Sequence, residues 1–182
     1  MKRIAAFIVA VAVAAVGCIF TGCQPKKKEI ESVKVTKQNS EVYEDALKEC
    51  FEAMQSVGGG EVFYSYMYPN ETINAMKENN EYEELIKNFN DSQRKSLEKR
   101  DKKYTFKSIM EAHQLTEKQV SGVKNYLVEL SEPYLSTLTE DKLDVKDGYE
   151  VTYNYVKSEN DVQKETVIIF KLNDEGWKVI TR

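Results

Sequence analysis

The chain has 182 residues, 31% of them charged and 41% hydrophobic, with a formal net charge of −4 and one histidine. Moderate acidity spread along the chain excludes the basic footprint of a nucleic-acid partner. One histidine, His113, and one free cysteine, Cys50, are too few for a zinc or thiol-redox site. The length allows one domain with a substantial core, which eleven tyrosines and seven phenylalanines supply.

Met1-Lys2-Arg3 is followed by an apolar run of 17 residues, 4–20, then by Thr21-Gly22-Cys23-Gln24-Pro25 and three lysines. A basic head, an apolar segment, small residues and abruptly polar chain describe an export signal. The run sits at the lower limit for a membrane span, and its alanine content makes it a weak permanent anchor. An ordinary secretory signal cut after Ala12 or Ala14 would place the cut inside the apolar run.

Phe20-Thr21-Gly22-Cys23 resembles the lipobox of bacterial lipoproteins, in which the cysteine sulfur receives a diacylglyceryl group before cleavage makes it the new N-terminus. The resemblance implies a signal peptide over residues 1–22, lipidation at Cys23, and a position on the outer face of the cell membrane. Cys18, after Ala15-Val16-Gly17, is a second candidate; it would leave Ile19 and Phe20 at the mature start, so Cys23 fits better. Two acyl chains of about 15 methylenes each would hold the membrane with on the order of 20 kcal/mol. Cleavage leaves 24 basic against 30 acidic side chains, a net of −6. Cys50 is then left with no cysteine for an intramolecular disulfide, and the domain depends on packing alone.

Residues 24–40 read as a flexible basic tether, holding the rest on the order of 20 Å from the membrane. From Ser40, a candidate cap, the pattern turns helical: Tyr43, Leu47, Cys50, Met54 and Val57 recur at spacings of four and three. Cys50 therefore points inward as a small packed hydrophobe. Gly58-Gly59-Gly60 lacks the Lys-Ser/Thr pair of a phosphate loop and reads as a turn. Residues 61–68 admit strand or helix: Phe63, Tyr66 and Met67 fit helical spacing, whereas Phe63-Tyr64-Ser65-Tyr66 favours a strand by residue type; the helix is preferred. Pro69 opens the next helix. A further helix spans residues 81–100, with Tyr82, Leu85, Ile86, Phe89 and Leu97 as its buried stripe.

Residues 104–115 alternate with period two, placing Tyr104, Phe106, Met110 and Ala112 on one face and Thr105, Lys107, Glu111 and His113 on the other. His113 lands on the polar face, as a surface histidine. Thr116-Glu117-Lys118-Gln119 is a capping box for a helix striped by Val120, Val123, Tyr126, Leu127 and Leu130, ended or kinked by Pro133. Leu143-Asp144-Val145, Asp147-Gly148 and Tyr149–Tyr155 read as strand, tight turn, strand, with Tyr149, Val151, Tyr153 and Tyr155 on one face. Val167-Ile168-Ile169-Phe170, apolar on both faces, reads as a central strand. Asn173-Asp174-Glu175-Gly176 turns into a last strand. The order predicts an α+β domain over residues 41–182, N-terminal helices packed on one face of an antiparallel sheet that ends in a meander.

The closing Val167–Leu172 and Asp174–Ile180 stretches resemble the last hairpin of small exported proteins with a cystatin-like or nuclear-transport-factor-two-like fold. Met67-Tyr68-Pro69, Tyr82-Glu83-Glu84-Leu85-Ile86 and Asp147-Gly148-Tyr149-Glu150-Val151 are similar to an uncharacterised group of Gram-positive lipoproteins. The resemblance implies a curved sheet wrapped around a helix, often leaving a conical pocket, in a fold that hosts both enzymes and ligand binders.

The expected function is a membrane-anchored binding or interaction module, whose partner is an exported protein or a small ligand. No catalytic, cofactor or metal residues are assigned; the one site residue is Cys23. The alternative is a small pocket enzyme of the isomerase or dehydratase kind. That chemistry needs a desolvated acid beside a tyrosine, and the expected inward positions carry none.

Overall fold

The computed structural model describes residues 41–100, 102–158 and 160–181. The signal, Cys18, Cys23, the tether and the Ser40 cap lie outside the described residues. The elements are α1 (Tyr43–Met54), α2 (Gly60–Met67), α3 (Asn70–Glu78), α4 (Tyr82–Arg100), β1 (Thr105–Gln114), α5 (Glu117–Ser131), a 3-10 turn (Glu140–Lys142), β2 (Val145–Ser158), β3 (Asp161–Leu172) and β4 (Trp177–Thr181). This is an α+β arrangement, with an open antiparallel sheet in the order β1-β2-β3-β4.

Glu44 and Asp45 occupy the positive first turn of α1, and Ala46, Leu47, Cys50, Phe51 and Ala53 form its buried face. Cys50 is inward, as its spacing requires. Gly58 takes φ +94, closing the turn. At Gly59 a Cβ would lie 2.0 Å from the Ala53 carbonyl oxygen, so only glycine lets the chain return this tightly. The third glycine is already the first residue of α2, and residues 61–67 are helical. Pro69 precedes α3 in extended geometry, one position outside the first turn, and its carbonyl accepts from Ile73 N at 3.1 Å. On α5 the capping box is complete: Thr116 accepts from Gln119 N while Gln119 reaches back to Thr116 N.

Asp147-Gly148 is not a hairpin turn. β2 runs through it, and Val145 pairs with Leu172 of β3 rather than folding back on Tyr149. The glycine serves a close approach instead: a Cβ there would meet Leu115 Cδ1 at 2.6 Å, and Leu115 N donates to the Gly148 carbonyl at 2.9 Å. The β2–β3 pairing ends instead at Ser158 and Asp161, where a turn is expected.

β1 also departs from simple alternation. Register shifts between Phe106 and Ser108 and between Ile109 and Glu111 restart its period twice. Phe106 pairs with Tyr155 and Ile109 with Tyr153, and both pack on the core. Met110, expected to face inward with Phe106, is 48% exposed.

Helices cover both faces of the sheet, not one. Val151, Tyr153, Val167, Ile169 and Val179 pack against α1 and α2. Phe170, Leu172 and Ile180, on the opposite face, pack with Val123 and Leu127 of α5 and with Leu138 and Leu143. The physical reason lies in β3: a strand apolar on both faces must have both covered. A third cluster of Tyr68, Ile73, Met76 and Tyr82 joins α3 to the start of α4, and a buried Thr72 Oγ1–Ser131 Oγ hydrogen bond of 2.8 Å ties α3 to α5.

Candidate binding groove and buried polar pairs

Val57 and the Gly58 turn face α4 across a cavity of about 600 Å³ that is also lined by α3. That volume is within the range of small-ligand sites. Val57, Tyr82 and Ile86 provide its apolar surface; Lys77, Lys87 and Arg94 alternate with Glu61, Glu83 and Asp91 around them. The ammonium of Lys77 sits 5.0 Å from the centre of the Tyr82 ring. Arg94 pairs with Asp91 at 3.4 Å, one turn earlier on α4.

Asn90 holds this groove together. Its Oδ1 accepts from both Gly58 N at 3.0 Å and Gly60 N at 3.2 Å. Gly58 donates from the turn, and Gly60 from the first turn of α2, where amides have no intrahelical acceptor. The turn is thus clipped to α4 by a single side chain. Nothing in the sequence around Asn90 marks it for this role. The glycine triplet was visible, but its acceptor is 30 residues away.

The interior beneath α1 holds two tyrosine–carboxylate pairs. Tyr153 OH donates to Glu165 Oε2 at 2.9 Å, and Tyr66 OH to Glu49 Oε2 at 2.9 Å. Glu165 is directly opposite Tyr153 in the β2–β3 register, so an acid does occupy the inward face, contrary to the sequence reading. The Tyr153 ring stacks at 5.2 Å on Phe106 and meets Phe51 edge-on at 5.8 Å. Burial first, then the neighbouring carboxylates, push both phenol pKa values well up from 10. Both hydroxyls therefore stay protonated as donors. Phe51, Cys50, Val151 and Tyr153 are each no more than 2% exposed, so the space between α1 and the sheet is filled by side chains.

A second polar element was also missed. Lys178 of β4 is wholly buried, and its Nζ donates to the carbonyls of Ser65 at 3.1 Å and Tyr68 at 2.7 Å, and to Asn70 Oδ1 at 3.3 Å. Glu175 Oε2 lies 2.8 Å from the same nitrogen and accepts from Asn70 N at 2.8 Å. The lysine caps the negative C-terminus of α2, while the carboxylate receives the first amide of α3. The available signal was a lone lysine in the apolar string Trp177-Lys178-Val179-Ile180.

His113 is exposed on the face away from α1, across from Glu150, with Nε2 3.6 Å from Glu111 Oε2. Among the described residues no three His, Cys, Asp or Glu side chains are placed to hold a metal ion, and no helix is long and apolar enough to cross a membrane. The structure leaves Cys23 outside its described part. No protein-family model, no curated protein and no solved structure matches the chain.

Proposed function

We propose that the protein is a lipoprotein anchored through Cys23 to the outer face of the cell membrane, and that its cystatin-like domain is a binding module working through the groove between α4 and the Gly58 turn. The observation that carries the binding reading is the groove's composition. A floor of Val57, Tyr82 and Ile86 is ringed by three cations and three carboxylates, a surface matched to a ligand bearing both charges, such as a peptide segment or a zwitterion. The anchor reading is supported by the Phe20–Cys23 sequence at the end of the apolar run.

The two parts have separate tests. Cys23→Ala is expected to block lipid labelling and leave the signal attached; normal processing would mean that Cys18 is the modified residue or that no lipid is attached. For the groove, native mass spectrometry and crosslinking from intact cells are expected to recover a small molecule or an exported protein that is lost in Tyr82→Ala. Recovery unchanged in that variant would remove the groove from the account.

The pocket-enzyme alternative draws on one observation, the Tyr153–Glu165 pair. It requires a substrate to reach a hydroxyl whose ring is enclosed by Phe51 and Phe106. The groove reading requires no such opening.

A further inference from the structure

The domain is electrically lopsided along α1. Where that helix begins, Trp177 Nε1 donates to the Glu41 carbonyl at 3.2 Å and Tyr43 stacks on Tyr149 at 4.8 Å. Around this end lie the exposed Glu41, Asp45, Asp144, Asp147 and Asp174. Lys146 and Lys171 are also here, but are engaged by Asp174 at 2.8 Å and Glu41 at 3.7 Å.

The other end is basic. The Arg100 guanidinium lies 4.2 Å from the Tyr104 ring, and Lys157 Nζ lies 5.6 Å from the same ring and 5.9 Å from that of Tyr155. Lys103 Nζ donates to Ser56 Oγ at 3.2 Å, and Arg100 to Gln55 Oε1 at 2.8 Å, both at the end of α1. Lys102 and Lys107 are exposed beside them. Among the described residues, none of these five cations has a carboxylate within 4.0 Å. Of the described acids of this end, Asp161 accepts from Gln163 and Glu165 from Tyr153; Asp101 and Glu159 lie outside the described residues.

We propose that this basic, tyrosine-flanked end docks on the anionic phospholipid surface of the membrane, so that the domain lies with its acidic end outward. The proposal rests on the lipid-anchor reading. Charge complementarity selects the end: a surface of phosphodiester headgroups attracts Arg100, Lys102, Lys103, Lys107 and Lys157 and repels the cluster around Glu41. Each cation brought to such a surface strengthens binding about five-fold at low salt. Tyrosine suits the boundary, with an apolar ring and a polar tip.

Chain length permits the arrangement. Glu41 emerges at the acidic end, and the path along β2 from Tyr149 to Lys157 is about 26 Å at the usual rise per residue. The stretch 24–40 would reach up to about 58 Å if fully extended, so the anchor and the basic end can meet the same bilayer.

The test is lysine acetylation footprinting of the full chain reconstituted by its own lipid, with intact mass confirming the modification. On vesicles containing phosphatidylglycerol, labelling of Lys102, Lys103 and Lys157 is expected to fall several-fold relative to pure phosphatidylcholine. Lys142 and Lys146 should be unchanged, and about 0.5 M salt should restore the labelling. The exposed double variant Lys102→Glu/Lys107→Glu should lose the protection while keeping the native circular dichroism spectrum. Equal labelling at both ends, or protection at Lys142 and Lys146, would overturn the orientation. The same protection from inorganic phosphate without vesicles would replace the membrane with a small-anion site. A chain that carries no lipid yet is protected on the anionic vesicles would sink the anchor reading and leave the docking surface standing.

Discussion

Lys178 Nζ and Glu175 Oε2 are 2.8 Å apart, the lysine entirely buried and the glutamate nearly so. The pair sits where the end of α2, the start of α3 and the β3–β4 turn meet, and it satisfies backbone groups of the first two. Removing one partner leaves the other charge stranded in a dry environment. Lys178→Met is expected to cost about 3–5 kcal/mol, whereas Lys178→Met/Glu175→Gln should cost clearly less than the sum of the single changes. Urea unfolding of the four members of the cycle measures this; additive losses would show that the charges are not coupled.

Asn90→Ala removes the common acceptor of the Gly58 and Gly60 amides. A loss of about 1–3 kcal/mol is expected, because both donors face a partly buried seam. Amide exchange should accelerate at Gly58 and Gly60 before it does in the sheet. Asn90→Leu, which keeps the size of the side chain but not the acceptor, should lose at least as much, an outcome that a purely steric role for the side chain does not give.

Two glycines should respond oppositely to alanine. At Gly59 the new methyl would lie 2.0 Å from a backbone oxygen, which cannot rotate away, and a loss above about 3 kcal/mol is expected. At Gly122, inside α5, it would meet nothing within 4 Å, and a gain of about 0.5–1 kcal/mol is expected from helix propensity. Thermal melts of the two variants decide both.

Alkaline unfolding should be steep. Burial raises the pKa of Tyr82 to about 12 and pushes Tyr66, Tyr68 and Tyr153 higher still. In the unfolded chain these phenols lose protons near pH 10, so above that value the unfolded state binds fewer protons and stability falls as pH rises. Each group contributes at most about 1.4 kcal/mol per pH unit, less where its hydroxyl touches solvent. Lys178 acts in the opposite sense: its pKa is lowered by burial, against the pull of Glu175, so stability rises with pH between its folded value and 10.5. Four phenols outweigh one ammonium. Tyrosinate absorbance should therefore show a first phase near the ordinary pKa, then a second coincident with loss of far-ultraviolet dichroism. A single smooth titration would contradict the buried assignments.

The helices were legible because each carries its own periodicity: Leu47 and Cys50, or Val123 and Leu127, announce a buried face within a few residues. β3 was equally legible from Val167-Ile168-Ile169-Phe170, although the same residues also required cover on both faces, a consequence the one-sided expectation overlooked. Gly148 misled because Asp-Gly is an intrinsically good turn, and the side chain that needs the glycine, Leu115, lies outside the strand. The groove depends on Asn90 meeting Gly58 and Gly60, and the inward acid Glu165 depends on register with Tyr153. Those are pairings between distant segments, set by the tertiary fold rather than by local pattern.

The doubled break in β1 has a consequence for how these domains tolerate one another. β1 is an outer strand of ten residues, and an unbroken edge of that length offers a template on which another chain can hydrogen-bond. Any newcomer would have to repeat both irregularities, after Phe106 and after Ile109, at matching positions. Few strands satisfy that demand, so many copies crowded side by side on a surface can remain separate molecules.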